Sequence, residues 1–302
     1  MNVLDQLPDR PKILVVRLRS LGDCVLTTPA LRLLKQARPG ASIGVVVEPR
    51  FDAVFAGNPD VDSVLPPAAG AVWRFGAGLT INFHGGTRSL ALTALSCARW
   101  RAGFAHYRHG QVHNVKMPRA QEILGVERQV HTAEHLASAV FYLGAPRAEI
   151  PRACLFARPA RRKRPWAVIH PFAARPDKTW PAGRFVAAAE HIEREHGLEP
   201  VFIGGPGDDM APFARHACVS GPPLEETKSL LAGASLFVGN DSGPAHMAAA
   251  FGLPVVVLFA ISDPVVWAPW KTRAEQIVAP EGMAAIELER VAAAIGRVRG
   301  KA

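Results

Sequence analysis

The sequence predicts an α/β protein made of two Rossmann-like, doubly wound domains. Three observations carry that expectation. Short unbroken apolar runs mark parallel strands: Ile13-Leu14-Val15-Val16 in the first half, Trp166-Ala167-Val168-Ile169 and Val255 to Phe259 in the second. Polar turns containing Gly or Pro follow such runs, and apolar residues at helical spacing follow the turns. Strands buried on both faces read as continuous apolar runs, and their alternation with helices is the signature of a parallel sheet. Finally, the rhythm restarts after a charged, proline-bracketed segment, Arg158 to Pro165, which reads as a linker and sets the domains at residues 1–157 and 158–302. A chain of 302 residues, 49% hydrophobic, suits two cores of about 150 residues each.

The elements follow in order. After the first strand, Arg17 to Asp23 is a Gly-containing turn and Cys24 to Ala37 a helix with Leu26, Ala30, Leu33 and Leu34 on one face. Pro39-Gly40 stops it, and Ile43 to Val47 is the next strand. Leu79 to Phe83 is a strand running into His84-Gly85-Gly86 and a helix from Ser89 to Ala98; His131 to Leu143 is a further helix, stopped by Gly144 and Pro146. In the second half Pro181 opens a helix that Gly197 ends, Val201-Phe202-Ile203 is a strand, and Leu224 to Ala232 is a helix. Leu236-Phe237-Val238 then leads into Gly239-Asn240-Asp241-Ser242-Gly243-Pro244-Ala245-His246.

Composition narrows the function classes. No apolar run reaches the roughly 18 residues that span a bilayer, and Met1 to Lys12 lacks a signal-peptide pattern. Cys24, Cys97, Cys154 and Cys218 are scattered without a C-x-x-C pair, so reduced, mostly buried thiols in a cytoplasmic protein are expected. A net charge of +9 favours an anionic partner. With only two Tyr and no nucleic-acid module, that partner is not expected to be nucleic acid.

Ligands of open α/β sheets bind at the carboxyl ends of the strands, which is where the candidate residues fall. Ser242 or Asp241 can cap the helix after the Gly239 turn, and Pro244 suits its first turn. The same helix N-terminus is either simply capped in this way or favours a phosphate. Asp23, after the first strand, either caps the next helix or faces an interdomain cleft as a general base. Lys178, just ahead of a helix, is either a solvated lysine or a charge for phosphate oxygens. Glu225 either complements a helix dipole or accepts from a ribose diol, and His246 is either a core histidine or a site residue. Gly204-Gly205-Pro206-Gly207 is not G-x-G-x-x-G, and no His/Cys spacing suits zinc, so neither a metal nor a cofactor is expected.

Taken together, three motifs resemble the heptosyltransferases of glycosyltransferase family 9, inverting enzymes of GT-B architecture. They are Ile13 to Arg17 through Leu21-Gly22-Asp23 to Leu31; His170-Pro171 through Lys178-Thr179-Trp180-Pro181; and Val238 to His246, continuing to Asp263-Pro264. The resemblance implies two domains facing a cleft and an ADP-heptose donor held by the second. It implies Asp23 as general base and Lys178 on the donor diphosphate, both catalytic. It further implies donor binding by His170, Glu225, Asp241, Ser242, Gly243 and His246. The chain departs from the family at Phe172-Ala173-Ala174, which offers no hydroxyl, so phosphate contacts there fall to backbone N–H groups. The implied acceptor is an anionic glycolipid of lipopolysaccharide-core type at the cytoplasmic face of the inner membrane. Arg161 to Arg164 either touches that membrane peripherally, at about 1 kcal/mol per charge, or is a solvated linker. The competing readings are another nucleotide-sugar or a protein acceptor on the same fold, a nucleotide-sugar epimerase, and a non-catalytic binder of anionic polymers.

Overall fold

The computed structural model describes residues 2–300, and its contacts divide the chain into two units, one ending at Cys154 and the other starting at Leu155. The segment read as a linker is fastened to the second unit. The Ala160 amide donates to the Ser229 carbonyl at 2.8 Å, Arg162 pairs with Glu199, and Arg164 pairs with Glu193. Charge in this stretch therefore serves local ion pairs as well as solvation.

The first unit contains strands β1 (Lys12–Val16), β2 (Ser42–Val46), β3 (Ser63–Leu65), β4 (Leu79–Asn82), β5 (Trp100–Phe104) and β6 (Val115–Met117). Its helices are α1 (Leu21–Ala37), α2 (Ala69–Phe75), α3 (Thr87–Leu95), α4 (Ala120–Leu124) and α5 (Thr132–Tyr142). The second unit contains β7 (Trp166–His170), β8 (Glu199–Gly204), β9 (Ala217–Ser220), β10 (Leu236–Asn240), β11 (Val255–Phe259) and β12 (Ala274–Val278). Its helices are α6 (Ala182–His196), α7 (Leu224–Gly233), α8 (Gly243–Ala250), α9 (Pro264–Trp267) and α10 (Leu288–Arg299).

Both sheets are parallel throughout, in the orders β3-β2-β1-β4-β5-β6 and β12-β11-β10-β7-β8-β9. Each therefore begins at its centre, grows outward on one side, then returns to the centre and grows the other way. The direction reverses between β1 and β4, and again between β7 and β10. At such a reversal the connections leave to opposite faces and open a crevice at the carboxyl ends of the strands.

The central strands are buried on both sides, which is why they read as apolar runs: Ile13 to Val16 and Ala167 to Ile169 are fully buried. In the second unit Trp180, Phe185, Phe202 and Phe213 share one core with Val291, Ala294, Ile295 and Val298 of α10, whose spacing places them on one helical stripe. The cysteines depart from the expectation of mostly buried thiols. Cys24 alone is buried; Cys97 and Cys218 are exposed and Cys154 is half-buried, all four being free. Cys97 lies two residues beyond α3 and Cys218 on the edge strand β9, where neither is covered. Among the described residues no helix is long and apolar enough to cross a membrane.

Gly239 shows how closely the reversal of the second sheet is packed. It lies opposite His170 in the β10–β7 register, and a Cβ there would come within 2.8 Å of the His170 carbonyl oxygen. Gly239→Ala is expected to destabilise the fold by about 1–3 kcal/mol, the usual cost of overpacking. Gly183→Ala, in α6 with nothing within 4 Å of the new methyl, should instead stabilise it by up to about 1 kcal/mol. Urea denaturation of the two variants checks both signs.

Candidate active site

Most of the residues singled out from the sequence collect at the two reversals. In the first unit, Asp23 occupies the opening turn of α1, immediately beyond β1. Its Oδ2 accepts from the Ser20 hydroxyl at 3.0 Å and from the Ser20 amide at 3.3 Å, and its Oδ1 is paired with Arg17. Both readings of Asp23 thus keep a physical basis: it secures the helix start, yet its side chain retains 22% exposure beside a guanidinium only 8% exposed. Arg17 also donates to the Phe83 carbonyl at 2.6 Å, tying the end of β1 to the segment after β4. Arg17 is not among the residues that the sequence marks out for the site. Its position, the first polar residue after an unbroken apolar strand and six before an aspartate, was the available signal.

His84 and Tyr107 stand near this pair. The Asn82 side chain accepts from the amides of His84 and Gly85, both at 3.0 Å, and so shapes the turn after β4. Gly85 has φ of +78°, and a Cβ there would lie 2.7 Å from the Tyr107 ring, so glycine is required twice over. Burial, with Arg17 and Arg19 adding to it, lowers the His84 pKa. Burial pushes the Tyr107 phenol up to about 12 against the pull of Arg17, with Asp23 adding to the rise. The Cys24 thiol, also raised to about 12 by burial, is held as an unreactive apolar group.

In the second unit four of the expected residues meet where β7 and β10 run side by side. Lys178 Nζ lies 3.3 Å from Asp241 Oδ2, and Ser242 Oγ lies 3.0 Å from His170 Nδ1. Ser242 occupies the N-cap position of α8, but its hydroxyl goes to His170 and makes no cap hydrogen bond. The amides of Ser242 and Gly243, at the N-cap and first position of the helix, have no protein acceptor among the described residues. They are the uncommitted donors of a helix N-terminus, where an anion binds most readily. Burial alone lowers His170 to about 4, so the ring is neutral at physiological pH.

Asn240, read from the sequence only as part of a turn, joins the two loops. Its Oδ1 accepts from the Trp180 amide at 3.1 Å and its Nδ2 donates to the Pro171 carbonyl at 2.9 Å. Trp180 is fully buried, with its indole N–H on the Ile286 carbonyl at 2.9 Å, so the loop carrying Lys178 is pinned at both ends. Glu225 and His246 are placed on helices α7 and α8. Glu225, in the first turn of α7, pairs at 3.4 Å with the buried Lys228, which sequence reasoning passed over. His246 is buried on α8, its ring 6.3 Å from that of Trp267. Among the described residues no group of three or more His, Cys, Asp or Glu side chains is placed to hold a metal ion.

Two consequences are measurable. Asn240→Ala leaves a buried amide and a buried carbonyl unpaired, an expected loss of about 1–3 kcal/mol by urea denaturation. His135, stacked on Phe104 at 4.0 Å, is lowered to about 4 by burial, with His106 and Arg17 contributing. Like His170, it binds fewer protons folded than unfolded between pH 4 and 6.5. Stability is therefore full above the unfolded value and is lost as pH falls through that window. The melting temperature should drop from pH 6.5 towards 4, and His135→Phe should make the drop shallower; an unchanged profile would contradict the assignment.

The model of "Glycosyltransferase family 9 (heptosyltransferase)" matches residues 75–294. Lipopolysaccharide heptosyltransferase 3 of Escherichia coli K12 is 27% identical over 84% of this chain and 83% of its own length. Lipopolysaccharide heptosyltransferase 1 of Salmonella typhimurium is 26% identical over 84% and 89%. Among solved structures, a family 9 glycosyltransferase from Veillonella parvula superposes with a TM-score of 0.85 at 20% identity, covering 97% of this chain and 98% of that one. The E. coli heptosyltransferase WaaC with ADP gives 0.79 at 21%, covering 95% and 99%. The two Rossmann-like units are thus those of a GT-B fold, and the chain belongs to glycosyltransferase family 9 and is a glycosyltransferase.

Proposed function

We propose that the protein transfers a heptose, or a related sugar, from an ADP-linked donor to a lipopolysaccharide-core-type acceptor, with inversion at the anomeric carbon and without a metal ion. The observation that carries this reading is the meeting of Lys178, Asp241, Ser242 and His170 at the reversal of the second sheet, in a chain of this family. The names of the relatives support the sugar and the acceptor class. The structurally similar WaaC, crystallised with ADP and with ADP-2-deoxy-2-fluoro heptose, supports the donor. A net charge of +9 agrees with an anionic glycolipid acceptor, which would bring the protein to the cytoplasmic face of the inner membrane.

In this mechanism Asp23 takes the proton of an acceptor hydroxyl. That hydroxyl would replace the Ser20 hydroxyl on Oδ2 while Arg17 keeps Oδ1 in place. The oxygen attacks the anomeric carbon as the bond to the diphosphate breaks, and the electron pair of that bond leaves with ADP. A single displacement inverts the centre. Charge gathering on the diphosphate is met by the Lys178 ammonium and by the amides of Ser242 and Gly243, donors already in position before the bond breaks. Neutral His170 orients the Ser242 hydroxyl beside them. Glu225, on α7, is assigned to the ribose and His246, on α8, to donor binding beside the Ser242 turn.

ADP release from ADP-heptose with a core oligosaccharide acceptor tests the assignment. Asp23→Asn should lower turnover by about 10²–10⁴-fold, the usual worth of a positioned base, with ADP affinity kept within a few-fold as evidence of an intact donor site. Undiminished transfer would refute the base. Lys178→Ala should weaken donor binding and slow turnover together, and unaltered kinetics would remove it from the site.

A further inference from the structure

The second unit carries a basic basin at the edge of its sheet opposite the candidate site. Arg161, Arg162, Lys163, Arg164, Arg215 and His216 line it, with Glu193, Glu199, Pro200 and Ala217, around a volume of about 840 Å³. The lining fixes its location. Arg164 precedes β7, Glu199 opens β8, and Arg215 and His216 precede β9, and these three strands are neighbours. The basin therefore lies at the amino ends of β7, β8 and β9. His170 closes β7 and the Asp241 turn follows β10 at the carboxyl ends. Five or six residues at about 3.3 Å each separate the two edges by about 17–20 Å, too far for one diphosphate to touch both.

Charge in the basin is only partly compensated. Glu199 takes Arg162 in a two-pronged pair, at 2.5 and 3.2 Å, and Glu193 takes Arg164 at 3.2 Å. Arg161, Lys163 and Arg215 have no carboxylate partner among the described residues, and all three are exposed. Five cationic side chains against two carboxylates leave an excess of three positive charges facing one concavity. Holding like charges together without a counter-anion costs free energy, and an anion with several negative oxygens removes that cost. Guanidinium forks match phosphate oxygens two at a time, and an ammonium adds a point charge. The volume lies within the usual range for a small-molecule site, about 300–1,000 Å³. No aromatic ring other than that of the half-buried His216 lines it, so it offers little on which nucleic-acid bases could stack.

We propose that this basin is a second anion site, which takes a compact ligand carrying two or more phosphoryl groups through Arg161, Lys163 and Arg215. Arg162 and Arg164, braced by their glutamates, shape its wall. The phosphoryl groups come either from a soluble polyphosphorylated molecule or from the headgroups of acidic lipid, and the chemistry at the basin is the same.

Two probes separate these sources. Calorimetry of the full chain with inorganic tripolyphosphate, in the Lys178→Ala background so that binding at the candidate active site is removed, reads the soluble arm. Sedimentation with phosphatidylglycerol-containing vesicles, against pure phosphatidylcholine, reads the lipid arm. The protein with its basin intact should bind at least one probe in a salt-dependent manner. The Arg161→Ser/Lys163→Ser/Arg215→Ser variant should weaken that binding tenfold or more with an unchanged melting temperature and, with Lys178 in place, unchanged sugar transfer. Removing Arg10, Arg99 and Arg152 instead lowers the net charge equally and should leave binding intact. The proposal is overturned if neither probe binds, if both triple variants bind alike, or if duplex DNA outcompetes both probes.

Discussion

Reversal of winding direction in each parallel sheet is the constraint on which the rest of the structure depends. A parallel strand cannot be followed directly by its neighbour, so each connection crosses a face of the sheet through a helix. When the chain has filled one side and returns to the centre, the two central connections diverge, and the backbone between them is left without cover. That gap puts Asp23 after β1 near His84 after β4, and Lys178 after β7 against Asp241 after β10. Pairs separated by 63 or 72 residues in the chain become hydrogen-bonded neighbours through topology alone.

The side chains brought together there are balanced in charge. Arg17 answers Asp23 and Lys178 answers Asp241, so neither site leaves an ion uncompensated at the end of a buried strand. The balance also sets the terms for a ligand. On the proposed reading, an incoming diphosphate would share Lys178 with Asp241 and draw its remaining stabilisation from the amides at the start of α8. Asn240 makes this arrangement rigid, because one side chain satisfies a donor on the lysine-bearing loop and an acceptor on the histidine-bearing loop. Donors held this way need no reorganisation when charge develops, and that is the main physical advantage of building a site on strand ends.

Much of this was legible in the chain. Strands β1, β7 and β11 are buried on both faces and read directly as apolar runs, and the Gly239 to His246 turn announces a helix start beside a strand end. The short strands at or near the sheet edges were not legible. β3 and β9 are only partly buried and β6 alternates, so three or four residues carry no decisive pattern. Helix α10 was passed over although its apolar stripe is regular, because Leu288 to Arg299 is rich in charge and alanine. In the site, residue types could be picked out but not their partners. The fastening of Arg17 to Asp23, the bridging by Asn240 and the burial of Lys228 beside Glu225 are products of tertiary proximity. Lys163, by contrast, looked like part of a solvated linker, and only the structure sets it beside Arg215 in one basin.

The two edges of the second sheet thus present different surfaces: a balanced, pinned loop cluster at the carboxyl ends and an uncompensated cationic hollow at the amino ends. The central claim is that the nucleotide diphosphate belongs to the first of these. Nuclear magnetic resonance titration of the full chain with ADP measures this directly. The account predicts that the largest shifts fall on the amides of Ser242 and Gly243, the His170 ring and the Lys178 ammonium. Shifts confined to Arg161, Lys163 and Arg215, with the β7 and β10 loops unmoved, would contradict it.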